Sequence, residues 1–221
     1  MSKHFHEELQ ELNDEILRMG TLVEELIDQA VTALKNRDVT MARAVIDRDA
    51  QIDDLELVID ELCLDLVARH QPMAVDLRFI MTGMRLNGEL ERVADLAVDV
   101  AERVLEIAGA PLLKPLVETP RLALIAQRMV KTAIDSFITR DSALARSVIL
   151  MDSEADKLKD SIQNELIYDY IVKDGTVAPR AVPLILAARH LERVCDHATY
   201  IAEDVIYMVK AEVVKHHPER L

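Results

Sequence analysis

The chain repeats itself. Leu90, Glu91, Arg92, Val93 and Asp95 recur as Leu191, Glu192, Arg193, Val194 and Asp196, and Ala97, Ala101 and Glu102 recur as Ala198, Ala202 and Glu203, all 101 positions on. Earlier, Arg37, Asp38, Arg43, Asp49 and Asp53 recur as Arg140, Asp141, Arg146, Asp152 and Asp156, 103 positions on. A duplicated chain is constrained to build one supersecondary unit twice and to bury the faces that neither copy covers alone. The change of offset places a two-residue loss in the second copy, at the turn before its last helix.

The unit is helical. Leu9, Leu12, Ile16, Met19, Val23, Leu26, Ile27, Ala30 and Leu34 recur at helical spacing and predict one long helix over 5–36, with Gly20 a tolerated weak point. Asp38 is placed to cap a second helix reaching about Arg69, and a third runs from about Ala74 to Ile107 after His70-Gln71-Pro72. Gly109, Pro111, Pro115 and Pro120 mark the one linker. The plan then recurs: a helix from about Arg121 to Thr139, another capped by Asp141, and a last one after Lys173-Asp174-Gly175. Pro179 or Pro183 falls in the first turn of that last helix, which ends near Val214. Short turns force antiparallel neighbours. The expected fold is therefore all-α, a tandem repeat of two three-helix bundles, with residues 1–109 and 121–221 as the copies and 110–120 between them. The bundles lie end to end or side by side.

Charge narrows the partners. The net charge is −14, and 24 acids against 11 Lys and Arg put −13 of it in residues 1–110. That opposes binding to nucleic acid or anionic lipid, which needs a basic footprint. It favours cations and basic protein surfaces. No apolar run is long enough to span a membrane and the start carries no secretory core, so the expected location is the cytoplasm. Cys63 and Cys195 form no metal or redox motif and read as buried thiols of a reducing compartment.

The chemistry sits opposite the apolar faces. Leu90, Val93, Ala97 and Val100 fall on one side of the third helix, with Glu91, Asp95 and Glu102 on the other; Glu192, Asp196 and Glu203 repeat this in the last helix. Side chains four apart stand about 6 Å apart along a helix axis. Asp49, Asp53, Glu56 and Asp60 form a matching stripe on the second helix. Packed helices lie about 8–10 Å apart, so two such stripes can converge on one cation. The candidate metal ligands are Asp49, Asp53, Glu91 and Asp95 in the first copy and Asp152, Asp156, Glu192 and Asp196 in the second. Asp99 and Glu102 extend the first stripe and Glu203 the second, and the second is weakened where Lys159 and Gln163 replace Glu56 and Asp60. All-oxygen clusters suit Mg, Ca and Mn, and also hold iron. The plainer reading is a solvated face, with Arg92 paired to Asp95 and Arg193 to Asp196.

Other tempting residues read as structural. No Glu has a His three positions on, which argues against a buried di-iron oxidase. His197 reads as a partly buried polar side chain, Cys195 as a small buried thiol, and His4 and His6 as solvent-exposed. The methionines mostly fill the core, and His216 and His217 could hold a metal only as a frayed pair.

With these residues in view, the chain resembles the PhoU family of phosphate-transport regulators. The likeness rests on His70-Gln71-Pro72-Met73-Ala74-Val75-Asp76-Leu77-Arg78 at the first copy's second turn and on both Leu-Glu-Arg-Val-x-Asp segments, within a duplicated plan that covers nearly the whole chain. The resemblance implies metal clusters, often of iron with Mg, Mn, Ca or Zn as alternatives, on the surfaces of two three-helix bundles. It also implies a non-enzymatic role: coupling the ATPase subunit of a phosphate-specific ABC transporter to a sensor histidine kinase and repressing the phosphate-starvation response. A homodimer that meets the membrane only through protein partners goes with it. Asp99 and Tyr200 stand where the family often has Asn, and residues 172–179 lack the first copy's His-Gln-Pro-Met turn. A surface-cluster metalloenzyme and a metal-free helical scaffold are the competing readings.

Overall fold

The computed structural model describes residues 3–215. The His216–His217 pair lies outside the described residues. Within them there is no strand. The first copy comprises α1 (Lys3–Asn36), α2 (Val39–Asp47), α3 (Asp49–His70) and α4 (Val75–Ile107). The second comprises α5 (Glu118–Thr139), α6 (Ser142–Asn164) and α7 (Ala178–Lys210). A π-helical segment, Glu165–Ile171, extends α6, and a 3-10 turn, Gly175–Val177, leads into α7.

Asp38 and Asp141 cap as their spacing requires. Asp38 Oδ1 accepts from the Thr40 and Met41 amides at 2.9 and 3.0 Å, and Asp141 Oδ1 from Ala143 and Leu144 at 2.8 and 3.1 Å. Three boundaries differ from the sequence pattern. The second helix is broken at Arg48, whose backbone (φ −83°, ψ −9°) tightens the turn while its guanidinium reaches Gln29 and Glu25 of α1 at 3.1 and 2.9 Å. α5 opens at Glu118, so Pro120 belongs to its first turn, where a missing N–H costs nothing. Pro179 sits in the first turn of α7, but Pro183 lies inside that helix, buried against the core. α7 stops at Lys210, capped by Ala211 in the left-handed conformation (φ 57°), which is short of Val214.

The copies lie side by side around one continuous core. α4 and α7 share the largest interface, α1 packs on α4, α5 on α7, and α1 on α5; α3 and α6 flank this group on its two sides. Phe79 of the first copy stacks on Phe137 of the second (4.7 Å between centroids, 14° between planes), both buried, with the Arg140 guanidinium 4.4 Å above Phe79. Truncating either ring would cost about 3–5 kcal/mol. Gly20 is more than tolerated. A Cβ there would stand 2.4 Å from Ile134 Cδ1, so its absence sets how closely α1 approaches α5.

Polar contacts fix the antiparallel register of α4 on α7. Arg78 Nε donates to the Met208 carbonyl at 3.1 Å, Arg85 meets Asp204 at 3.0 Å, Glu89 meets His197 at 2.5 Å, and Asp99 lies 3.3 Å from His190. Arg37 closes the first copy by donating to the Ile107 carbonyl at 2.8 Å and to those of Ala108 and Ala110, the bare end of α4.

Candidate functional site

One buried amide sets the first carboxylate cluster. Asn87 is fully buried, and its Nδ2 donates to the Glu56 carbonyl at 2.9 Å and to Asp60 Oδ1 at 3.0 Å. This stitch holds α3 against α4 in the register that brings Asp49 and Asp53 to Asp95, and Glu56 to Glu91. Asp49, Glu56, Glu91 and Asp95 are half-buried and Asp53 is exposed. Burial, then the neighbouring charges of Asp53 and Asp95, pushes the Asp49 carboxyl above its ordinary range. Burial, then Asp95 and Glu56, does the same to Glu91, and Glu56 rises through burial, Asp60 and Asp53. Arg92, 3.8 Å from Glu91, offsets part of this for Glu56 and Glu91. The ion pair of Arg92 is thus with Glu91 where the sequence suggested Asp95.

α6 and α7 repeat the geometry with a different charge. Asp152, Glu192 and Asp196 are half-buried and Asp156 is exposed. Asp152 rises through burial, then Asp156 and Glu192. Burial, reinforced by Glu192, Asp152 and Asp156, carries Asp196 up to about 6. Lys159 enters this cluster and lies 3.5 Å from Glu192 and 2.8 Å from Asp160.

The eight candidates therefore divide between the two helix pairs as the sequence placed them. The extensions do not all follow. Asp99 faces His190 across the α4/α7 seam, and Glu102 pairs with Arg103 at 2.9 Å. His197 is half-buried against Glu89, and both thiols are buried and free, with Cys63 pushed up to about 12 by burial. His4 is exposed and pairs with Glu8 at 3.2 Å. Met19, Met129 and Met208 fill the core, whereas Met73 and Met81 are exposed. Sequence reasoning left Glu56, Asp60 and Asn87 outside the candidate set, although Glu56 and Asp60 lie on the α3 stripe. Asn87 carried no sequence signal beyond its place four residues before Glu91.

In chemistry the donor set fits a hard cation: oxygen only, several carboxylates raised together, and a face open to solvent. In placement it is open. Among the described residues, no three His, Cys, Asp or Glu side chains stand close enough to hold one ion as arranged. No helix of the described residues is long and apolar enough to cross a membrane.

The model of the PhoU domain matches this chain twice, over residues 16–104 and 119–205. The chain belongs to the PhoU family. It is 40% identical to the Aquifex aeolicus phosphate-specific transport system accessory protein PhoU homolog over 209 residues, 95% of this chain and 94% of that protein. It is 30% identical to the Escherichia coli phosphate-specific transport system accessory protein PhoU over 98% of this chain and 89% of that protein. The crystal structure of PhoU from Pseudomonas aeruginosa superposes with a TM-score of 0.89 at 37% identity, covering 94% of this chain and all of that one. The Streptococcus pneumoniae phosphate transport system regulatory protein PhoU superposes with a TM-score of 0.87 at 28% identity, covering 95% and 99%. Both PhoU domain matches contain their copy's candidate carboxylates. The PhoU-like turn after α3 places Gln71 (φ 47°) and Ala74 (φ 50°) in conformations that L residues seldom adopt, and leaves Met73 79% exposed at its tip.

Proposed function

We propose that the chain is a non-enzymatic accessory regulator of phosphate transport. It acts in the cytoplasm as an adaptor between the ATPase subunit of a phosphate-specific ABC transporter and a sensor histidine kinase, repressing uptake and the starvation response when phosphate is plentiful. The observation that carries this reading is the full-length likeness, copy for copy, to PhoU proteins whose names describe accessory and regulatory parts of phosphate transport. The acidic first copy suits basic partner surfaces. The chain reaches the membrane only through these partners and works as a homodimer.

The carboxylates give the adaptor its second property. Asp49, Asp53, Glu91 and Asp95 hold one hard cation or cluster, and Asp152, Asp156, Glu192 and Asp196 another; iron, Mg, Mn, Ca and Zn are the candidates. The bound ions supply charge neutralisation. The protein's part is to present clustered carboxylates, in the first copy on the α3/α4 pair that Asn87 already holds together. A cation held by Asp49, Asp53, Glu91 and Asp95 would offset their mutual repulsion, tie α3 to α4 and change the charge of the surface that a partner meets.

Co-purification of the untagged chain with the ATPase subunit and with the kinase tests the adaptor role, and capture of neither would overturn it. A metal-free scaffold is the second reading, favoured by the open arrangement of the carboxylates. It expects Glu192→Ala to leave partner capture unchanged, whereas the metal-binding reading expects capture to fall.

A further inference from the structure

α1 and α5 form the face opposite the α4/α7 seam. They cross antiparallel, with Gly20 against Ile134 and Gln127 Nε2 donating to the Glu24 carbonyl at 3.5 Å. The 103-residue offset runs through both helices: buried Leu26, Ala30 and Leu34 match buried Met129, Ala133 and Phe137. Glu25 and Arg128 are equivalent under that offset, and the crossing register sets them near its centre, so the axis relating the two copies passes close to them. A groove of about 500 Å³ lies over the crossing. Its α1 wall carries Glu24, Glu25 and Asp28; the equivalent positions of its α5 wall are Gln127, Arg128 and Lys131. The duplication has kept the shape and inverted the charge.

We infer that this face docks a second copy of the chain, with each acidic α1 wall over the partner's basic α5 wall. A surface that is symmetric in shape and opposite in charge across its centre is complementary to itself. Of the two face-to-face arrangements, the one with its dyad parallel to the helices sets Glu25 over Arg128 twice. The one with its dyad across them sets acid on acid and is repelled. Most surfaces of a chain with net charge −14 repel their own copies, and the α5 wall is a place where that repulsion turns to attraction. Leu124, 64% exposed in the groove, and Leu17, 38% exposed on α1, supply apolar contact. Glu25 also holds Arg48 at 2.9 Å and Lys131 lies 3.7 Å from Asp135, so the walls are partly ordered before docking. The inference rests on the homodimer reading and adds the face and its orientation.

Sedimentation equilibrium of the full chain tests it, with Glu25→Lys, Arg128→Glu and the double variant beside the wild type. Each single change enters the interface twice and is expected to weaken dimerisation about tenfold or more, while the double change restores it. Melting temperatures of the exposed-site variants separate loss of the interface from loss of the fold. A wild type that stays monomeric at low ionic strength overturns both the dimer and the face. A dimer that ignores both single changes overturns the face and leaves the dimer. Single variants that dissociate without rescue in the double overturn the charge pairing.

Discussion

Glu56 on α3 and Lys159 on α6 occupy equivalent places beside equivalent carboxylates, and they divide the two clusters chemically. In the first copy Asp49, Asp53, Glu56, Glu91 and Asp95 lie along one facing pair of helices, and the exposed Arg92 offsets part of the charge felt by Glu56 and Glu91. In the second, Lys159 lies 3.5 Å from Glu192 as a built-in cation, yet Asp196 is still carried up to about 6. Duplication preserved two carboxylate frames, and divergence left one with the acid Glu56 where the other carries Lys159, a cation of its own. The first cluster is therefore the one expected to respond most to ions.

Removing the difference gives the largest effect. Asp53→Asn with Glu91→Gln in one chain should abolish cation binding by the first copy and leave the second copy's binding in place, as read by metal titration calorimetry. Lys159→Glu should make the second cluster resemble the first. Its cation affinity should rise by about tenfold, because ligand charge sets affinity in oxygen sites, and the ion-free chain should melt at a lower temperature.

A smaller effect concerns pH. The Asp196 carboxyl is raised in the folded chain above its ordinary value, so its ionised form is disfavoured by folding. The resulting cost is present above pH about 6 and is relieved as pH falls through that value. Ion-free protein should thus gain stability between neutral and mildly acidic pH. After solvent screening the gain is about 1 kcal/mol, and Asp196→Asn should remove it. Thermal melts over that range check the sign.

The seam between the copies offers the smallest tests. His197→Ala removes a partly buried partner of Glu89 and should cost about 1–2 kcal/mol in chemical denaturation. Arg85→Ala breaks an exposed pair with Asp204 and should cost about 0.5 kcal/mol or less.

The helical duplication was legible because apolar periodicity and capping aspartates are local signals. So were the carboxylate stripes, since i, i+4 spacing puts two acids on one face wherever the helix packs. The break at Arg48 was not legible, because it depends on α1 supplying Gln29 and Glu25 to its guanidinium. Nor was the role of Gly20, which is set by Ile134 from the other copy. Asp99 looked like an extension of the first stripe and instead faces His190. Facing across a seam is a property of how two copies meet, and no spacing within one helix encodes it.

The first cluster is expected to gather cations more strongly than the second. Calorimetric titration of untagged, ion-free chain with Mn2+ tests it most directly, in the wild type and in the Asp53→Asn, Glu91→Gln and Lys159→Glu backgrounds. Two classes of binding are expected, the tighter lost with the first cluster and the weaker strengthened by Lys159→Glu. A wild type that takes up no Mn2+, or two classes that do not respond to these substitutions, would contradict it.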